Sequence, residues 1–222
     1  MNYFSTLIFI LTLTVSWSQF EFNYIDSISV IKGPSQLAMP WAGGLNYAQF
    51  SDIDYDFDGD MDLLVFDRSN NQLRVFEQIQ TAGVSSYRYD PLGERWFPSD
   101  MRYRLFAIDY NGDNKKDLFT YGIGGLKVYK NIGDGTNGLS WELAKELVYS
   151  DYWGVVLNLY VSSTDIPAIV DVDNDGDIDV LTFHIGGQYV QYHKNMSMEY
   201  YQHADSLEFE LKNECWGTFR ED

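Results

Sequence analysis

The chain has little of several residue types on which common functions depend. It contains one cysteine, Cys215, so no intrachain disulfide can form. Its three histidines, His184, His193 and His203, show no metal-ligand spacing, and no Gly-x-Ser-x-Gly elbow or histidine-rich zinc motif occurs. Lys and Arg number 15 against 33 Asp and Glu, a net charge of −18. Nucleic acids and anionic membranes require basic patches, so we expect neither as a partner.

Long apolar runs are also scarce, with one exception near the start of the chain. Residues 7–15 form an almost purely apolar core, followed by the small residues Ser16 and Ser18 before Gln19. This pattern predicts a signal peptide over residues 1–18 and a secreted or cell-surface mature chain, residues 19–222. No later run of about eighteen apolar residues occurs, so no transmembrane segment is expected after signal cleavage.

What the chain does contain is a nine-residue acidic loop, repeated three times between apolar runs at 54–62, 109–117 and 171–179. Side-chain oxygens at positions 1, 3, 5 and 9, with the backbone carbonyl at position 7, can surround one hard cation, and calcium is the natural choice. We therefore predict up to three Ca²⁺ ions. The predicted metal ligands are Asp54, Asp56, Asp58, Asp60 and Asp62; Asp109, Asn111, Asp113, Lys115 and Asp117; and Asp171, Asp173, Asp175, Asp177 and Asp179, position 7 acting through its carbonyl.

The turn chemistry differs in the second loop. Position 6 is Gly59 in the first loop and Gly176 in the third, where glycine permits a positive φ. The second loop has Asn114 there, a residue that also visits the left-handed region. It also carries Lys115 and Lys116. We expect this loop to bind calcium most weakly of the three.

The loops are not EF-hands. An EF-hand closes with a bidentate Glu at position 12 and continues into a helix. Position 12 is Val65, Thr120 or Thr182 here, and the residues after each loop have the composition of a strand. The glycine-rich nonapeptide of calcium-binding β-helices is absent as well.

Each loop lies within a longer repeat of apolar strand, loop, strand, turn and strand. The repeats are 55 to 62 residues apart, about the length of a four-stranded sheet, and this organisation predicts an all-β protein of the β-propeller type. Propellers usually close with four or more blades, so we expect the N-terminal portion of a larger propeller or a truncated gene product, whose missing blades would be partners of these. The alternative is assembly of several copies into a closed ring. The expected units are blades at about 36–90, 91–150 and 151–205, and the start of a further repeat at 206–222.

The repeat pattern resembles the FG-GAP or VCBS repeats of integrin-α-like propellers, although the Phe-Gly and Gly-Ala-Pro signatures are missing. The segments Pro40–Asn46, Gln49–Ser51, Phe66–Arg68 and Cys215–Gly217 are similar to those of Bacteroidetes cell-surface VCBS-repeat proteins exported by type IX secretion. The resemblance spans nearly all of the mature chain. It implies an extracellular, calcium-bound propeller.

We expect a non-catalytic module for cell adhesion or for binding an extracellular protein or glycan, with calcium stabilising the blade loops. The alternative is a part, catalytic or not, of a secreted polysaccharide-processing propeller protein. Catalysis is disfavoured because a glycosidase needs two carboxylates in different environments, whereas these carboxylates recur in regular triplicate. Aromatic residues outside the loops either stack on a ligand or form strand core: Tyr87, Tyr89, Trp96, Trp141, Tyr149, Tyr152, Trp153 and Tyr160.

Overall fold

The computed structural model describes Ile25, residues 28–218 and Arg220. The predicted signal peptide, residues 1–18, lies outside these residues. The described part is all-β, as expected. Its strands are β1 Ile31–Lys32, β2 Ser35–Gln36, β3 Ala48–Ile53, β4 Asp62–Asp67, β5 Gln72–Thr81, β6 Val84–Tyr89, β7 Leu105–Ile108, β8 Asp117–Gly122, β9 Gly125–Asn131, β10 Trp141–Lys145, β11 Tyr149–Asp151, β12 Val156–Asn158, β13 Ala168–Val170, β14 Asp179–Phe183, β15 Val190–Asn195 and β16 Phe209–Asn213.

Helical structure in the described residues is short. Two 3₁₀ turns span Gly93–Trp96 and Trp216–Thr218, and one α-helix, α1, spans Ser197–Tyr201. None of the described helices has the length and apolar character needed to cross a membrane.

Three larger sheets carry the repeats. The first sheet is the antiparallel meander β3-β4-β5-β6 and the second is the antiparallel meander β7-β8-β9-β10. The third sheet has the order β12-β11-β16-β15-β14-β13, in which β11 pairs with β16 in parallel and the other pairs are antiparallel. Each acidic loop joins the first two strands of one meander.

One predicted boundary is wrong. Residues 206–222 were expected to begin a further repeat, but Phe209–Asn213 is the fourth strand of the third meander and pairs with β15. The segment has no acidic loop of its own, and its apolar residues Phe209 and Leu211 are buried in this sheet. Burial of these apolar side chains against the third sheet therefore explains why the strand pairs with β15.

The second sheet is packed on both faces. Its residues Leu105 and Leu118 lie in a core shared with Leu64 and Val75 of the first sheet. On the other face, Phe119 and Val128 lie in a second core with Val180 and Phe209 of the third sheet. Because side chains alternate between the two faces of a strand, one strand can supply both cores.

The first and second sheets also meet along their first strands. The amide of Leu105 donates to the Gln49 side-chain oxygen at 3.2 Å, and the amide of Ala107 donates to Ser51 Oγ at 3.3 Å. These bonds join β7 to β3, so the first strands of the two sheets lie side by side.

Two buried arginines connect the sheets at the ends opposite the acidic loops. Arg68 donates to the carbonyl of Tyr103 at 2.6 Å and to that of Thr164 at 2.8 Å. Arg104 donates to the carbonyls of Gly125 and Ser162. Burial, together with the nearby positive charge of Arg68, lowers the pKa of Arg104 to about 10. The pair fastens the segment before β13 to the first and second sheets.

Candidate metal centre

The three acidic loops share one backbone conformation. Positions 4 and 6 have positive φ in every loop, at Phe57 and Gly59, at Gly112 and Asn114, and at Asn174 and Gly176. The expectation that Asn114 takes the left-handed conformation is confirmed, with φ of 64°. These turns fold the loop back on its first residue.

The position-1 carboxylate holds the turn closed. The amide at position 6 donates to it in all three loops, from Gly59 to Asp54 at 3.1 Å, from Asn114 to Asp109 at 2.8 Å, and from Gly176 to Asp171 at 3.1 Å. The geometry is common to the loops although the second one places its glycine two residues earlier.

The position-9 carboxylate is buried and binds two backbone amides. One amide comes from position 2 of the same loop and the other from the third strand of the sheet, at distances of 2.8 to 3.2 Å. The acceptors are Asp62, Asp117 and Asp179, and their third-strand donors are Gln78, Asn131 and Asn195. These aspartates connect the loop to the sheet, a role that the ligand pattern does not predict. Asp179 also accepts a hydrogen bond from the Tyr192 hydroxyl at 3.2 Å.

Burial has an electrostatic consequence at these positions. It raises the pKa of Asp62 and of Asp117 to about 6, while the amide hydrogen bonds oppose the shift. The pKa of Asp179 is raised for the same reason. Keeping such a buried carboxylate charged costs free energy. A nearby divalent cation would offset this cost.

The other predicted side chains converge in the first loop. One oxygen each from Asp54, Asp56 and Asp58 lies within 4.8 Å of the others. Burial and the neighbouring carboxylate of Asp58 raise the pKa of Asp56. At position 7, Asp60 has a buried oxygen without a hydrogen-bond partner. Closely spaced carboxylate oxygens suit a hard cation such as Ca²⁺, so the residues present fit a calcium ion.

The second loop has a weaker set of oxygens. Position 3 is the neutral Asn111, and the acidic triads found among the described residues lie in the other two loops. Lys115 Nζ lies 3.9 Å from Asp113 and 3.4 Å from the carbonyl of Gly133. Lys116 points away, with Nζ 3.9 Å from Asp52 of the first sheet.

The third loop forms two overlapping carboxylate groups. Asp171, Asp173 and Asp179 bring oxygens within 4.8 Å, and so do Asp173, Asp175 and Glu199 of α1. At position 7, Asp177 is 1% exposed; one of its oxygens accepts the amide of Met198 at 2.8 Å, and the other is buried without a partner. Burial, reinforced by Asp175, raises the pKa of Asp177 to about 7.

Two residues at the third loop lie outside the nine-residue pattern. Glu199 enters from α1, and the ammonium of Lys194 on β15 contacts Asp173 and lies 2.8 Å from Asp175 and 2.5 Å from Glu199. Sequence reasoning missed both because they follow the loop by 15 residues or more. The register of β14 with β15, and the helix after β15, bring them back to it.

One histidine, His193, forms a buried hydrogen-bonded pair with a serine. His193 and Ser150 are buried, and His193 Nδ1 lies 2.8 Å from Ser150 Oγ. Nε2 of His193 is buried without a partner, so no carboxylate orients this imidazole as in a hydrolytic triad. Burial lowers its pKa to about 4. The imidazole is therefore neutral at pH 7.

The predicted aromatic residues divide between core and surface. Trp141 packs against the core between the first and second sheets, whereas Trp153, at 68% exposed, and Tyr149 are at the surface. Tyr149 lines an open groove of about 320 Å³ with Tyr200, Phe209 and Glu210. The groove lies where β11 and β16 pair.

Comparison of the chain with protein-family models, with curated proteins and with solved structures gave no match in any of the three.

Proposed function

We propose that this chain is a calcium-binding repeat module of the β-propeller type, in which the ions stabilise the blades. The observation that carries the proposal is the convergence of Asp54, Asp56 and Asp58 in a loop whose backbone conformation recurs twice more. Three carboxylates within 4.8 Å repel one another unless a cation lies among them.

The arrangement of the sheets supports a propeller. Consecutive four-stranded meanders pack face to face, and the first strands of the first two sheets are hydrogen bonded through Gln49 and Ser51. In a propeller the first strands converge on a central axis. The acidic loops then lie at one end of the blades and the buried arginines at the other.

The module is proposed to act outside the cell or at its surface, in adhesion or in binding a protein or glycan, and not in catalysis. The net charge of −18 and the apolar run at residues 7–15 support this location. Metal-stabilised loops leave the exposed aromatic residues, among them Trp153 and Tyr149, available for contact with a partner.

Thermal unfolding of residues 19–222 in calcium, in magnesium and in chelator tests the metal site. A ligand that binds only the folded state stabilises it by about 2.7 kcal/mol at a concentration of 100 times its Kd. We expect the midpoint to rise with calcium concentration and to respond less to magnesium, which demands a stricter octahedral geometry. Identical melting of the folded chain in all three solutions would contradict the proposal.

Incubation with candidate polysaccharides tests the absence of catalysis. A binding module retains the polymer without shortening it, so chain-length analysis should show an unchanged product distribution. Release of shorter products by purified protein would favour the polysaccharide-processing alternative.

A further inference from the structure

The three sheets place different charges at one equivalent position beside the loop. In each sheet, one backbone amide of the third strand donates to the position-9 carboxylate. The residue just before that amide is Glu77 in the first sheet, Lys130 in the second and Lys194 in the third. Glu77 pairs with Arg88 and lies near enough to Asp56 to raise its pKa. Lys130 pairs with Asp205, 3.1 Å away and outside the loop. In the third sheet, the cationic side chain at this position forms ion pairs with carboxylates of its own loop.

Lys194 lies among the oxygens that a metal ion would need. Its ammonium contacts Asp173, Asp175 and Glu199 together, and its side chain is 14% exposed. Asp177, at position 7 of the same loop, retains a buried oxygen without a partner, in a residue that is 1% exposed. These carboxylates therefore attract cations, and the ammonium of Lys194 already lies among them.

We propose that Lys194 competes with the divalent cation for the third loop, so that this loop binds calcium more weakly than the first loop does. This inference rests on the proposed calcium function. Calcium reaches Asp173 and Asp175 only when the ammonium leaves them, because two cations at the same carboxylates repel.

The competition also gives the third loop a distinct role. Before calcium arrives, Lys194 neutralises part of the carboxylate charge, so this blade depends less on the metal for its stability. At high calcium, the ammonium is displaced and the loop becomes a second, low-affinity class of site. The protein then responds to calcium over a wider concentration range than three equal sites would.

Backbone amide NMR during a calcium titration resolves the loops individually. The position-6 amides of Gly59, Asn114 and Gly176 each report their own loop. In the parent chain, we expect the midpoint for Gly176 to lie at least about ten-fold higher in calcium than that for Gly59. In Lys194→Met, which keeps the aliphatic stem and removes the charge, the Gly176 midpoint should fall about ten-fold or more while that of Gly59 stays unchanged.

Lys130→Met is the matched control, since it removes the same charge from the equivalent position of the second sheet. It should leave the Gly176 midpoint unchanged. Equal midpoints for Gly59 and Gly176 in the parent would overturn the competition, and that measurement needs no variant. An unaltered Gly176 midpoint in folded Lys194→Met would overturn it as well. If none of the amides responds to calcium, the calcium function itself fails and the competition with it.

Discussion

Leu118 and Phe119 are neighbours on β8, but their side chains lie in different hydrophobic cores. Leu118 packs with the first sheet and Phe119 with the third, and both are almost completely buried. The second sheet therefore couples the other two.

We expect Leu118→Ala and Phe119→Ala each to lower the free energy of unfolding by about 2–5 kcal/mol, because each leaves a cavity in a packed core. Urea unfolding followed by tryptophan fluorescence and by circular dichroism measures the loss. Both variants should unfold in one transition, since each core requires the second sheet. Ile123→Ala, in the exposed turn after β8, is the control and should change stability by less than about 0.5 kcal/mol. Two separate transitions would show that the sheets are independent.

The buried carboxylate of Asp62 gives a prediction that does not involve metal. Asp62→Ala removes the acceptor of two backbone amides, those of Tyr55 and Gln78, and should cost about 2–5 kcal/mol in chelator. Asp62→Asn keeps one acceptor oxygen and should cost less. Urea unfolding in chelator measures both, and a loss below about 0.5 kcal/mol for the alanine variant would contradict the role assigned to Asp62.

A substitution at Asp56 tests calcium binding separately from the stability of the metal-free chain. Asp56→Ala should reduce the rise in melting midpoint that calcium produces, because position 3 contributes a carboxylate to the first loop. Asp52→Ala removes the same charge from an exposed position just before the loop and should keep the full calcium response. If the two variants respond equally to saturating calcium, Asp56 is not a ligand.

His193 predicts a pH dependence with a defined sign. Its folded pKa of about 4 lies below the ordinary value of about 6.5, so the unfolded chain binds a proton that the folded chain does not. Above pH 6.5 the imidazole is neutral in both states and does not affect the free energy of unfolding. As pH falls from 6.5 to 4, protonation of the unfolded chain lowers the free energy of unfolding by up to about 3 kcal/mol. His193→Gln should lose less stability than the parent over this interval, measured by urea unfolding in chelator.

A parallel pH profile for His193→Gln and the parent would show that the buried imidazole does not titrate as stated.

The repeated local pattern made much of the site predictable. Position-6 residues that tolerate positive φ, carboxylates at fixed spacing and apolar runs on either side act within a few residues, so they are visible in the chain. The strands Leu63 to Phe66, Leu118 to Tyr121 and Val180 to Phe183 were expected after the loops and are present there. The hairpin β11–β12 and its parallel pairing with β16 were not expected, because pairing between distant strands has no local signal.

The sequence by itself determined the class of fold, the three loops and their oxygen-rich composition, since each follows from side-chain type and short-range spacing. Only the tertiary structure decided which carboxylates are buried in amide hydrogen bonds and which have oxygens close to one another. It also placed Lys194 beside the third loop and Glu77 beside the first, because strand register brings together residues far apart in the chain. The charged residues that surround each loop therefore depend on how the sheet folds, and the nine-residue pattern alone does not predict them.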